Sequence, residues 1–138
     1  MDFRFELIVV IDTSALIAIL LKEPEALAFA RFIESSEHSC ISAVSYFEAA
    51  IVVDRRGNEV SRAMLDSFLV AFSIRVEPVT FEHAKMARQT YELFGKGRHP
   101  AGLNFADCFS YALAKSLLEP LLFKGNDFSK TDLTSAAS

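Results

Sequence analysis

Four acidic residues, Asp12, Glu48, Asp107 and Asp127, stand where core filling does not account for them. Asp12 directly follows the apolar, β-branched run Leu7-Ile8-Val9-Val10-Ile11. Glu48 is the only acid in a stretch of apolar or small residues that includes Val44, Phe47, Ala49, Ala50 and Ile51. Asp107 lies three residues after Asn104, so an Asn104-capped helix would put both on one face of its first turn. Asp127 closes the turn Lys124-Gly125-Asn126-Asp127 after Leu121-Leu122-Phe123. Each has an ordinary structural explanation: a helix cap or dipole partner for Asp12, a solvent-facing acid for Glu48, a capping-box acid for Asp107 and an Asn-Asp turn for Asp127. As a group their chemistry differs. Gathered carboxylates repel one another and coexist only with protons or cations. Oxygen ligands without His or Cys favour Mg²⁺ or Mn²⁺ over zinc. Such a site suits phosphodiester hydrolysis, in which a metal acidifies a bound water and neutralises charge on the leaving oxygen.

The elements that must carry these acids alternate. The run 7–11 reads as a strand buried on both faces, followed by a helix from Ala15 capped by Thr13 or Ser14. Pro24 suits the first turn of a second helix ending near Ile33. A second strand at 39–42 leads to a helix capped by Ser42 or Ser45 that stops at Gly57. Val60, Met64, Phe68 and Phe72 repeat at helical spacing. A third strand at 74–79 leads to a Thr80-capped helix reaching about Phe94. Residues 95–102 have the composition of an exposed loop. The Asn104 helix, with Phe105, Phe109, Ala112 and Leu113 as its expected buried face, ends before Pro120, and a fourth strand occupies 121–123. This order predicts an α/β fold of three layers, a parallel sheet of four to five strands with helices on both faces. Ligands of such sheets bind beyond the carboxyl ends of the strands, where Asp12 and the turn before Asp127 fall. The expected organisation is one domain over 1–133 and a flexible tail over 134–138.

Composition narrows the function classes. Hydrophobic residues make up 51% and charged residues 23%, which excludes intrinsic disorder. No apolar run is long enough to span a membrane, and the acidic start of the chain is unlike a secretory signal. Two cysteines without Cys-x-x-Cys spacing predict reduced, buried thiols and a cytoplasmic protein. The net charge of −4 argues against a general grip on nucleic acid, but the charge is uneven. Residues 1–50 carry three basic and eight acidic side chains, and residues 51–100 carry eight basic and six acidic. Lys96, Arg98 and His99, with Lys85 and Arg88 on the preceding helix, form the candidate phosphate grip. The thirteen phenylalanines read mainly as core.

Together these residues resemble a known family. Val9-Val10-Ile11-Asp12-Thr13-Ser14-Ala15-Leu16 is similar to the opening strand and first acid of the PIN domain. Glu48, in Ser45-Tyr46-Phe47-Glu48, falls at its second acid. Leu103-Asn104-Phe105-Ala106-Asp107-Cys108 with Tyr111-Ala112 resembles its third-acid helix, and Leu121-Leu122-Phe123-Lys124-Gly125-Asn126-Asp127-Phe128 its closing strand. The branch it looks like is the VapC toxin of VapBC modules, with the loop 95–104 fitting that branch. The resemblance implies a Mg²⁺-dependent endoribonuclease, with Mn²⁺ as substitute, acting as the toxin of a type II toxin–antitoxin module. It implies metal ligation by Asp12 and Asp107, with Glu48 and Asp127 completing the catalytic acids. Asp132 is the reserve for Asp127, because Gly125 and Phe123 replace residues common in the family's ending. Ser14 and Asn104 would bond to ligands or water from behind, and Lys96, Arg98 and Arg88 would bind RNA. Implied partners are RNA, a VapB-like antitoxin and a second copy of the chain, without a membrane. The alternatives are an aspartyl-phosphate phosphohydrolase, which normally wants Asp where Ser14 stands, and a receiver-like signalling domain using Lys124.

Overall fold

A computed structural model describes residues 8–136. Its centre is a four-stranded, all-parallel sheet in the order β3-β2-β1-β4, made of β1 (Ile8–Ile11), β2 (His38–Ser42), β3 (Ile74–Glu77) and β4 (Leu121–Leu122). Leu7, expected in the first strand, lies outside the described residues. The strand period of two assigns alternate residues to two cores. Val9, Ile11, Ile41 and Leu122 pack under α1 (Thr13–Leu20), α2 (Ala26–Ser35), α3 (Ala43–Arg56) and α4 (Glu59–Ala71). Val10, Cys40 and Leu121 pack under α5 (Phe81–Phe94) and α6 (Phe105–Leu117). The result is the expected three-layer α/β arrangement. Both cysteines are free and buried, and burial pushes the Cys40 thiol up to about 12.

Strand order locates the functional edge. From β1 the chain steps outward to β2 and β3, then returns to the other side of β1 for β4. The reversal leaves a crevice between the carboxyl ends of β1 and β4, the usual ligand position in open α/β sheets. Asp12 is the first residue beyond β1, and its amide bonds to the Leu122 carbonyl at 2.9 Å.

Several boundaries differ from expectation for identifiable reasons. Asp12, not Thr13 or Ser14, caps α1, so both hydroxyl residues fall inside the first turn. Helix α2 begins after Pro24, with Glu25 at its N-cap. Strand β3 stops at Glu77, before Pro78, whose missing N–H cannot extend a ladder. On α6 the buried face is Ala106, Cys108 and the run from Ser110 through Ala114. Phe105, expected to be buried, is 74% exposed at the first position of α6. Within the segment expected to be a flexible tail, Ala136 N–H bonds to the Leu121 carbonyl and Leu121 N–H to the Thr134 carbonyl. Ser135 thereby forms a parallel bridge on the open side of β4. Residues 137–138 lie outside the described residues.

Candidate active site

Asp12, Glu48 and Asp107 reach one cleft at the carboxyl edge of the sheet, a space of about 490 Å³ also lined by Ser14, Asn104 and Lys124. Asp12 is 3% exposed. Its Oδ2 accepts from the Ser14 amide at 2.9 Å and the Ser14 hydroxyl at 2.7 Å, leaving Oδ1 outside the cap. Ser14 Oγ in turn accepts from the Lys124 amide at 2.9 Å, joining the exits of β1 and β4. Asp107 sits in a capping box: its Oδ2 accepts from the Asn104 amide and its own amide donates to Asn104 Oδ1, both at 2.9 Å. The structural and chemical readings of Asp107 are therefore compatible, since the box uses one carboxylate oxygen.

The electrostatics show that the acids feel one another. Burial, and then the charges of Asp12, Glu48 and Asp127, push the Asp107 carboxyl up to about 7, against the opposing bond from the Asn104 amide. Burial also raises Glu48, with the Asp12 charge adding to it and the nearby Thr13 hydroxyl opposing. Asp127 is thus within electrostatic reach of Asp107, although it does not line the cleft. The reserve candidate Asp132 is engaged elsewhere, accepting from the Tyr111 hydroxyl and pairing with Lys115 Nζ at 2.9 Å. Those partners hold its carboxyl below its usual range.

A seam of hydroxyl groups that sequence reading missed lies beneath the acids. Ser45 and Ser110 are 0% and 1% exposed, and their hydroxyls bond to each other at 2.8 Å. The Thr13 hydroxyl donates to the Ser45 carbonyl at 3.1 Å. Thr13 adjoins Asp12, Ser45 is one turn before Glu48, and Ser110 is one turn after Asp107. The seam therefore fastens together the three elements that carry the acids. The readable signal is a serine one helical turn from Glu48 and from Asp107 on an otherwise buried face, and a threonine next to Asp12.

Two further cations border the cleft. Lys124 Nζ pairs with Glu23 and Glu25 at 3.2 Å each, and Arg56 pairs with Glu23 at 3.5 Å. Lys124 is thus paired with Glu23 and Glu25, and Asp12 is not among the acids its ammonium pairs with. Among the described residues, no three His, Cys, Asp or Glu side chains form a ready-made metal cage. That does not exclude Mg²⁺, which keeps most of its waters and commonly takes one or two carboxylates. An all-oxygen pair such as Asp12 and Asp107 fits such an ion.

The predicted RNA-binding residues lie along a neighbouring surface. Arg88 pairs with Glu92 at 3.8 Å, and the Arg98 guanidinium lies over the Tyr91 ring at 5.6 Å. The loop carrying Lys96 and Arg98 is pinned at its base, not loose: Lys96 N–H bonds to the Leu103 carbonyl and Leu103 N–H to the Phe94 carbonyl, both at 2.9 Å. His99 Nδ1 accepts from the Ala101 amide at 3.0 Å, and the ring meets Phe94 edge-on, which gives it a structural place in the loop.

Comparison with known proteins identifies the family. The PIN domain family profile matches residues 9–133. The chain is 47% identical over 128 residues to Ribonuclease VapC28 of Mycobacterium tuberculosis, covering 92% of this chain and 96% of that protein. It is similar in structure to Mycobacterium tuberculosis VapC20, a sarcin-ricin loop cleaving toxin, with a TM-score of 0.78 at 17% identity, covering 94% of this chain and 99% of that one. A chain of a toxin-antitoxin complex from Klebsiella pneumoniae aligns with a TM-score of 0.68 at 14% identity, covering 90% and 92% respectively.

Proposed function

The chain belongs to the PIN-domain family and, within it, to the VapC ribonucleases, and from that membership and its acidic cleft we propose a Mg²⁺-dependent endoribonuclease that acts as the toxin of a type II toxin–antitoxin module. The observation that carries the reading is the meeting of Asp12, Glu48 and Asp107 in one cleft beyond the carboxyl ends of β1 and β4, where burial and then the charges of the other acids raise Asp107. Asp12 and Asp107 would hold the divalent ion, with Mn²⁺ as a substitute. When bound, the ion supplies Lewis acidity toward the phosphodiester and the attacking water. Glu48 orients that water or accepts its proton, a role suited to a carboxyl whose proton affinity burial has raised. Asp127 completes the catalytic acids from outside the cleft lining, through its charge on Asp107. Ser14 holds Asp12 in orientation, and Asn104 does the same for Asp107. Lys96, Arg98 and Arg88 bind the phosphates flanking the cut.

A VapB-like antitoxin covering the cleft, a homodimeric state and a cytoplasmic location complete the proposal. Among the described residues no helix is long and apolar enough to cross a membrane. The purified chain, stripped with chelator and given RNA with and without Mg²⁺, tests the reading. Cleavage is expected only with the ion, and Asp12→Asn and Asp107→Asn are expected to abolish it with the circular dichroism spectrum unchanged. Wild-type cleavage by Asp12→Asn would overturn the assignment. Sequencing RNA 5′ ends in cells expressing wild type or Asp12→Asn identifies the bond cut.

A further inference from the structure

Beside the acidic cleft lies a second, larger one of about 780 Å³, bounded by α5, the pinned loop and the first turn of α6. Asn104 lines both clefts, so they adjoin at the residue that caps Asp107. The second cleft has a distinct composition. Arg88, Lys96 and Arg98 line it together with the aromatic rings of Tyr91, Phe105 and Phe109. Phe105 is 74% exposed and Tyr91 42% exposed. The Phe105 ring touches Phe109 at a tilt, with centroids 5.4 Å apart. In a chain of net charge −4, three cations against the single lining acid Glu92 make this a locally positive surface. Exposed ring faces beside cations are what single-stranded nucleic acid uses, because every base offers a π-face and every linkage a phosphate. Bases inside an A-form duplex are already stacked and cannot reach such a platform.

We propose that Phe105 is a stacking platform for an unpaired base next to the scissile linkage, with the flanking phosphates carried by Arg88, Lys96 and Arg98. The inference rests on the ribonuclease reading for its ligand and assigns Phe105 a part in selecting unpaired nucleotides. Phe105 is the first residue of α6, directly after the cap Asn104, and Asn104 lines the acidic cleft as well as this one.

The test uses the Asp12→Asn protein, so that bound RNA survives, and a decaribonucleotide containing one 2-aminopurine. Stacking quenches the fluorescence of that base. Phe105→Ala and Phe105→Leu are each expected to weaken binding about tenfold, the order found for losing one base–aromatic stack, and to abolish the quench. Phe105→Tyr is expected to keep both. Binding of a blunt duplex of the same sequence is expected to be unchanged in all variants. The leucine variant retains apolar bulk, so it decides the matter even if alanine alters the start of α6. Parental affinity and quench in Phe105→Leu would overturn the proposal, as would equal losses for single strand and duplex. A change from dimer to monomer in Phe105→Ala with the quench retained would also overturn it, by making this face a contact between copies. RNA that binds with quenching but is never cut by the wild type would instead overturn the nuclease reading and uphold the platform.

Discussion

Asp107 performs two tasks that pull its ionisation in opposite directions. As the third residue of α6 it accepts from the Asn104 amide, which favours the carboxylate. As a wall of the acidic cleft it is desolvated and faces Asp12, Glu48 and Asp127, and the net effect is a carboxyl pushed up to about 7. An acid whose native pKa is raised binds protons more tightly folded than unfolded, so without metal its contribution to stability falls as pH rises from about 4 to about 7. Asp107→Asn keeps an acceptor for the cap and removes the charge. In chelator at pH 8 this variant is expected to melt on the order of 3 °C above wild type, with the difference vanishing near pH 4, and thermal melts across that range check it. A variant no more stable than wild type at pH 8 would mean that the acids do not strain the empty site. Adding Mg²⁺ is expected to reverse the order, since only wild type gains stability from binding.

Elements rather than single residues bring the acids into register, and here the sequence was legible in part. Ser42, Thr80 and Asn104 cap the helices expected of them, because cap chemistry is local and a side-chain oxygen must meet an amide two or three residues on. The alternation of strands and helices likewise implied the parallel sheet and its ligand-binding edge. Three features depend on distant parts of the chain and were not legible. Phe105 has helical spacing to Phe109, but only the position of the sheet beneath α6 decides that it faces outward. The pairing of Thr134 and Ala136 with Leu121 needs the open edge of β4, which composition cannot reveal. The Ser45–Ser110 bond joins positions 65 residues apart. Removing one of those hydroxyls leaves the other buried without its partner, at about 1–3 kcal/mol. Ser45→Ala and Ser110→Ala are each expected to lower stability by that amount and cleavage about tenfold, by loosening the geometry of the acids. The double variant is expected to cost less than the sum, by about 1 kcal/mol of coupling in a chemical-denaturation cycle. Strict additivity would mean that the two helices are held by other contacts.

Over the whole molecule, charge is unevenly distributed along the chain. Three bases face eight acids in residues 1–50, and eight bases face six acids in residues 51–100. A polyanion approaching the acidic cleft alone is repelled until a divalent cation fills it, whereas the cleft beside it is attractive without one. RNA binding is therefore expected to have two separable components. The electrostatic one resides in Lys96 and Arg98, which stand on a loop held rigid by Gly95 and Leu103. Each phosphate contact with a single strand contributes a slope of about −0.7 to the logarithm of affinity against the logarithm of salt. Lys96→Glu with Arg98→Glu is expected to flatten that slope by about 1.4 and to weaken binding most at low salt, with the melting temperature unchanged. Phe105→Ala is expected to displace the same line downward without changing its slope, because stacking releases no counterions. Measuring both variants by fluorescence anisotropy from low to moderate salt separates the two contributions. Parallel lines for the loop variant would place the phosphates on another surface, and the Arg56 and Lys124 side of the acidic cleft, where both cations are already paired with Glu23, would be the next to test.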